Sequence, residues 1–366
     1  MKQTIVAGYQ CSLLIDSDDF AWFFGDLHLN YEIPEQFSIK INVPDIVSVA
    51  TGTSHSLLLD AKGTVWSIGK NSCGELGCGH KNDVSYSNPF QIDYLPEIIA
   101  VSCSPYTHST VLDVDGHVWI SGSNSFGLGL GSITATEKFT IIKKLPKIQQ
   151  ICCGFYHSIF LAEDGTVWGI GYNGNGELGQ KISTNFMKPT KIEGLPPIIE
   201  ISTKYVHSLF LDIEGIVWGC GRTSQHQLGA VVAKVDHLPF QILDLPKIQS
   251  IGAGFNHSVF LDFENNVWCC GETSYGQCGV GTLEEVEKPT KVEALSDILG
   301  VAVGGMHTFF YNAEGLWGCG SNTTGALCLP LEIGNQQIRS PVQISNFHPK
   351  INLRGRFYGT KSARKL

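Results

Sequence analysis

The chain has 366 residues, 41 of them glycine, with 43% hydrophobic and only 16% charged side chains, a composition that describes a turn-rich chain with ample core and excludes disorder, collagen and coiled coil. Its formal net charge is −9, but residues 349–366 carry six Lys and Arg and no acid, so the rest stands near −15. An acidic body argues against nucleic acid as principal ligand of the folded part, because that affinity comes mainly from neutralising phosphates.

At the start of the chain, Met1 to Cys11 contains one Lys and no apolar stretch of signal-peptide length, which predicts a cytoplasmic or nuclear protein. No apolar run approaches the ~18 residues of a spanning helix, so no membrane span is expected. Twelve cysteines follow along the chain, adjacent (Cys152-Cys153, Cys269-Cys270) or five apart (Cys73, Cys78), and no Cys-x-x-Cys occurs. That spacing suits no structural zinc site and predicts reduced, packed thiols; no metal or cofactor is expected.

All seven tryptophans share one register: Trp22, Trp66, Trp119, Trp168, Trp218, Trp268 and Trp317, 44 to 53 residues apart. Each is followed three residues later by Gly, from Gly25 to Gly320. Eleven residues before each Trp, or ten before the last, stands His55, His108, His157, His207, His257 or His307, with Cys11 in the first copy, and Ser or Thr always comes next. A period near 50 residues marks a repeat architecture.

Within one unit, four short strands are predicted at Pro189–Ile192, Ile198–Thr203, His207–Asp212 and Ile216–Gly221. Leu195-Pro196-Pro197 separates the first two, and Asp212-Ile-Glu-Gly215, like Asp60–Gly63 and Asp113–Gly116, predicts a tight hairpin. Such units cannot bury their faces alone, so the expected fold is all-β: a seven-bladed β-propeller of four-stranded antiparallel blades. Because the first copy starts at Thr4–Ala7 without a preceding Pro-x-x-Ile strand, and Pro341–Ile344 ends the last without a following unit, the N- and C-terminal strands are expected to pair in one blade and close the ring. The predicted organisation is a propeller over residues 1–347 and a basic tail over 348–366.

The unit Gly154 to Ser158, Gly165 to Gly171 and Asn173 to Gly179 resembles the repeat of the regulator of chromosome condensation family over about residues 1–347. That resemblance implies the seven-bladed propeller, and a range of roles: nucleotide exchange on the small GTPase Ran, regulatory modules of ubiquitin ligases and ciliary proteins, and a plant ultraviolet-B photoreceptor. The photoreceptor signature Gly-Trp-Arg-His-Thr is missing, since every Trp belongs to the repeat. Exchange in the family uses acidic residues one or two places before the His. Here those places hold Tyr9 and Gln10, Thr53 and Ser54, Tyr106 and Thr107, Phe155 and Tyr156, Tyr205 and Val206, Phe255 and Asn256, Gly305 and Met306. The resemblance thus implies a monomeric regulator of a Ran-like or other small GTPase, of guanine-nucleotide exchange type, or alternatively a non-enzymatic adaptor or substrate-recognition module of a ubiquitin-ligase system.

Successive connections of an antiparallel blade alternate between faces, so the loop before each His and the long loop after Trp-x-x-Gly open on the same side. That side is expected to gather Tyr9, Tyr106, Phe155, Tyr156, Tyr205, Phe255 and Met306 around the mouth of the ring as a partner-binding rim, because aromatics and Met favour protein interfaces. One His per blade, followed by Ser, predicts a repeated structural hydrogen bond and no metal cluster. Gly169-Ile-Gly171-Tyr-Asn-Gly174 lacks the helix a dinucleotide fingerprint requires, and sets such as Ser158, His157 and Asp164 recur in every blade, so no catalytic residue is singled out. Asp26–Tyr31, Thr223–Gly229 and Cys328 depart from the repeat, which is expected either from drift of the copies or, alternatively, from a partner-contacting edge near the first and last blades.

Overall fold

The computed structural model describes residues 5–26, 38–131, 135–181, 185–230, 237–330 and 337–344. The basic tail and residues 27–31 of the Asp26–Tyr31 departure lie outside them. The described residues form seven four-stranded antiparallel sheets, each made of four consecutive strands, and the innermost strands meet side by side around a central channel. In the fifth blade the strands are Ile198–Thr203, His207–Asp212, Val217–Gly221 and Phe240–Gln241.

The second strand of each blade shows why the chain needs a ring. His207–Asp212 is buried throughout, because Leu209 and Leu211 pack toward Phe260 of the sixth blade whereas Phe210 packs toward Ile159 and Leu161 of the fourth. Alternate side chains thus serve two neighbours, and each hydrophobic cluster lies between successive blades. Burial of each such Leu or Phe is worth about 1.5–3 kcal/mol, but only when both neighbours are present.

The tryptophan is fixed by the hairpin that precedes it. Asp212 Oδ1 accepts hydrogen bonds from the backbone N–H of Glu214 and Ile216, both at 2.9 Å, and its Oδ2 accepts from Trp218 Nε1 at 3.0 Å. Asp16, Asp60, Asp113 and Asp262 hold Trp22, Trp66, Trp119 and Trp268 in the same way. In the fourth blade, where Ala162 replaces the Asp, Thr166 Oγ1 takes over the indole at 3.2 Å. The glycine three residues after Trp has a different cause. Gly171 has φ +98°, and a Cβ there would lie 2.4 Å from the carbonyl oxygen of Tyr156. The nearby register slip places its extra residues on the outer strand between Phe186 and Thr190, so it is the positive φ and the approach of the Tyr156 carbonyl that require glycine.

Two expectations are corrected. The Pro-x-x-Ile segment does not open a blade: Phe186–Lys191, which contains Pro189, pairs with the Trp168 strand and completes the fourth blade. Consequently the chain ends do not share a sheet. Ile5–Ala7 pairs with Cys11–Ile15 in the first blade, Gln337–Gln343 pairs with the Trp317 strand in the seventh, and the first blade has its own outer strand, Ser38–Lys40. The ring still closes where the chain begins and ends, by packing of Ile5, Ala7 and Leu14 against Phe309, Tyr311 and Ile344, and by a hydrogen bond from Gly305 N to Gly8 O at 2.7 Å. A long loop returns each chain segment to the free edge of the Trp strand it has just left, so the outer strand pairs locally. Along the Lys81–Asn88 stretch, which lengthens the second repeat, Tyr86 is buried edge-on against Phe23 at 4.7 Å.

Candidate functional site

The loops of one face are set by a belt of histidines. His55 Nε2 lies 3.0 Å from Ser109 Oγ of the next blade, and His108–Ser158 (2.8 Å), His207–Ser258 (3.0 Å) and His257–Thr308 (3.1 Å) repeat the bridge. His157 reaches Thr203 at 2.8 Å and Ser208 at 3.3 Å, and His307 closes the circuit on Ser12 at 2.9 Å. Where Cys11 replaces His, its thiol donates to Gly52 O at 3.6 Å. Ser258 Oγ also donates to Gln227 O at 2.6 Å, so it must accept from His207, which fixes the proton on Nε2. Burial lowers the imidazole of His55 to about 4 and those of the other five to about 3, so the belt is neutral at physiological pH.

Glycine before the His serves this packing, for a Cβ at Gly154 would lie 2.2 Å from His157 Cε1. These bridges join blades; among the described residues no three His, Cys, Asp or Glu side chains converge where a metal ion could sit. The expected consequence of His207→Ala is a loss of about 2–4 kcal/mol, from the lost bond, the orphaned serine and the cavity, read as a lower thermal midpoint with partner recovery unchanged once the protein is folded. Wild-type stability together with lost binding would mean that the belt has another purpose.

Above the belt, the loop aromatics meet. Tyr9 stacks on Phe255 (centroids 4.5 Å apart, planes 16°), Phe255 on Tyr205 (4.4 Å, 6°), and Tyr205 meets Phe155 edge-on at 4.7 Å. Phe155 continues to Tyr156 at 4.2 Å and to Tyr106 at 5.4 Å. Six of the seven sequence-predicted rim residues therefore form one continuous array. The seventh, Met306, stands beside Gln10, whose Nε2 lies 3.9 Å from its sulfur. Tyr9 extends from the first blade to the sixth because the seventh carries Gly305, where a Cβ would lie 2.6 Å from its ring. Tyr106 is 57% exposed and the other rings are half-buried, and burial raises the phenols of Tyr9 and Tyr156.

Residues that the sequence reading passed over also belong here. Phe126 and Tyr172, from the loops after two Trp strands, extend the array: Phe126 lies 4.1 Å from Tyr156 and 5.5 Å from Tyr172. Lys204 occupies the place of the glycine in Gly-x-x-His, a departure visible in Thr203-Lys-Tyr-Val-His207. Its ammonium donates across the channel to Val303 O at 3.4 Å and to Ala7 O, tying the fifth blade to the seventh and the first. Burial lowers it to about 8. Beneath it lies a channel cavity of about 470 Å³, walled by the inner strands, where Gln150 bonds both N and O of Ile201 and Glu200 accepts from Ser250 and Ile251 N. Among the described residues no helix is long and apolar enough to cross a membrane.

Seven such blades, the Gly–His–Trp–Gly register and the inter-blade belt match one sequence profile, that of the RCC1-like domain, over residues 28–356. The chain belongs to the RCC1-like domain family. Curated relatives include the probable E3 ubiquitin-protein ligase HERC4 of Rattus norvegicus, 32% identical over 201 residues, which are 50% of this chain and 19% of that protein. Another is the X-linked retinitis pigmentosa GTPase regulator of Homo sapiens, 30% identical over 171 residues, 45% of this chain and 16% of that protein. The matched part spans less than a fifth of the length of either relative. Among solved structures, human WBSCR16 superposes with a TM-score of 0.74 at 24% identity over 84% of both chains. Yeast RCC1 (Prp20), solved with Kap60, gives 0.73 at 24% identity over 82% of this chain and 75% of that one. At these identities the structural likeness is one of fold. Within this RCC1-like chain, the loop positions that the family's exchange factor fills with acids are taken up by the stacked rings and their small or polar neighbours.

Proposed function

We propose that this RCC1-like propeller binds a protein partner through the aromatic loop face and regulates a small GTPase. The observation that carries the reading is the array from Tyr9 to Tyr106, whose half-exposed rings offer rigid amphipathic area at low entropic cost. Relatives point the same way: a GTPase regulator is among them, and a solved protein of the same fold, Prp20p of Saccharomyces cerevisiae, has binding properties to Gsp1p and histones. A second reading, an adaptor or substrate-recognition module of a ubiquitin-ligase system, is favoured by the likeness to HERC4 and by the lack of loop acids suited to exchange.

Release of labelled GDP from Ran, Rab, Rho and Arf GTPases, measured beside pull-down of the same panel, separates the two. Regulation by exchange requires accelerated release, lowered at least about tenfold in Tyr106→Ser/Phe155→Ser/Tyr205→Ser if the rim supplies the contact. Neither binding nor release across the panel would move the protein to the adaptor reading. A folded triple variant that recovers its partner as well as wild type would remove the rim from both.

A further inference from the structure

At one end of the array the rings stop stacking and build walls. Tyr9, Phe255 and Tyr205 are stacked nearly parallel, but Tyr205 stands at 84° to Phe155, Phe155 at 69° to Tyr156, and Phe126 at 84° to Tyr172. With Glu177, His157 and Val206, the rings of Phe126, Phe155, Tyr156, Tyr172 and Tyr205 line a pocket of about 250 Å³, below the range of about 300–1,000 Å³ common for small-molecule sites and suited to a single side chain. Glu177 is held at its floor loop by Asn175, whose backbone N–H and Nδ2 donate to its two oxygens at 2.9 and 2.7 Å. The fold needs only an acceptor at this place: Gln227 and Gln277 occupy it in the next two blades, accepting from Gln225 N and Tyr275 N at 3.0 Å. The loop is therefore satisfied by amide or acid, and Glu75 fills the same place in the second blade, accepting from Cys73 N at 2.7 Å. Besides Asn175, the backbone N–H of Glu177 itself bonds the carboxylate, which leaves about one of its four acceptor sites for a ligand.

We infer that the box of Phe126, Phe155, Tyr156, Tyr172 and Tyr205 over Glu177 captures one cationic side chain, an ammonium of lysine type, from the protein partner of the loop face. Ring faces carry negative potential and attract such a cation, most strongly when several rings exclude water around it. The chain's net charge of −9 favours approach of a basic segment. Tyr172 lies across Gly174, where a Cβ would be 2.0 Å from its hydroxyl, so the glycine makes room for this wall of the box. The inference rests on the reading of this face as a partner-binding surface and adds the chemistry of its anchor.

The test is titration of the full chain, followed by NMR or tyrosine fluorescence, with three probes: Nα-acetyl-lysine methylamide, its Nε-trimethyl derivative, and the neutral tert-butyl isostere of the latter. The trimethyl cation should bind roughly fivefold or more tightly than its neutral isostere, and Phe126→Leu and Tyr172→Leu should each weaken it by a similar factor. Glu177→Gln, which keeps the loop acceptor, should weaken both cations and leave the isostere unchanged. Equal affinity for cation and isostere, an absence of binding to all three, or indifference to the Phe126 and Tyr172 variants would overturn the cation box. The two readings fail separately. Partner recovery lost in the Tyr106, Phe155 and Tyr205 triple variant with no cation preference sinks only the box, whereas cation binding with undiminished partner recovery sinks the rim.

Discussion

Gly171→Ala is expected to destabilise the protein by about 3 kcal/mol, whereas Gly194→Ala, also at positive φ, should cost only about 1 kcal/mol. Both glycines lie in the left-handed half of backbone space, at φ +98° and +81°, so both substitutions carry conformational strain. They differ in what the new methyl meets. At Gly194 nothing lies within 4 Å, but at Gly171 the Cβ would be 2.4 Å from Tyr156 O and 2.8 Å from His157 Cα. These are backbone atoms of the neighbouring strand and cannot rotate away, so the hairpin must open and pull His157 from Thr203. Urea unfolding of the two variants against wild type measures the difference, and equal losses would show that this close approach is not the reason for the repeated glycine.

Acid should unfold the protein cooperatively at about pH 5, well above the usual carboxylate range. Six buried histidines have folded-state values depressed to about 4 for His55 and about 3 for the rest, against about 6.5 in the unfolded chain. Between those limits the unfolded state binds more protons, so stability is complete above about pH 6.5 and falls as pH drops toward 4. Each histidine contributes up to about 1.4 kcal/mol per pH unit across that window. Glu75, pushed up to about 7 by burial, and Glu177, also raised by burial, act in the opposite sense, since their folded carboxyls take up protons first. Two such groups offset only part of six. The cause is structural, because Nδ1 of His55, His207, His257 and His307 is buried with no protein acceptor for a second proton. Denaturant midpoints at pH 7, 6 and 5, with proton uptake on unfolding taken from calorimetry in two buffers, test this. His257→Gln should remove about one proton of uptake, and stability that stays flat from pH 7 to 4.5 would contradict the neutral belt.

The blade was legible because its rules are short-range. The Asp212–Trp218 clip spans six residues and the Gly-x-x-His turn three, so each left a fixed spacing in the chain, and seven copies made it readable. The rim was legible for a related reason: alternating connections send the His loop and the post-Trp loop to one face, and the substituents there are aromatic. Phe126 and Tyr172 lie on the loop after the Trp strand, which the same alternation places beside the His loop, but they have no fixed place in the repeat from which their meeting could be read.

Pairing of the outer strands was decided otherwise. Pro189–Ile192 has a pattern that suits the free edge of the Trp168 strand as well as the start of the next blade, and only the path of the connecting loop selects the first. Closure follows from that choice, so Ile5–Ala7 and Gln337–Gln343 lie in separate sheets. The contacts that gather the blades into one surface join residues far apart in sequence: His307 to Ser12, Tyr9 to Phe255, Lys204 to Val303 and Ala7. Local spacing fixes what each blade is, because its hydrogen bonds and buried faces repeat within about 50 residues. The meeting of particular rings and charges over the channel depends on how the ring closes, which no spacing within a single repeat encodes.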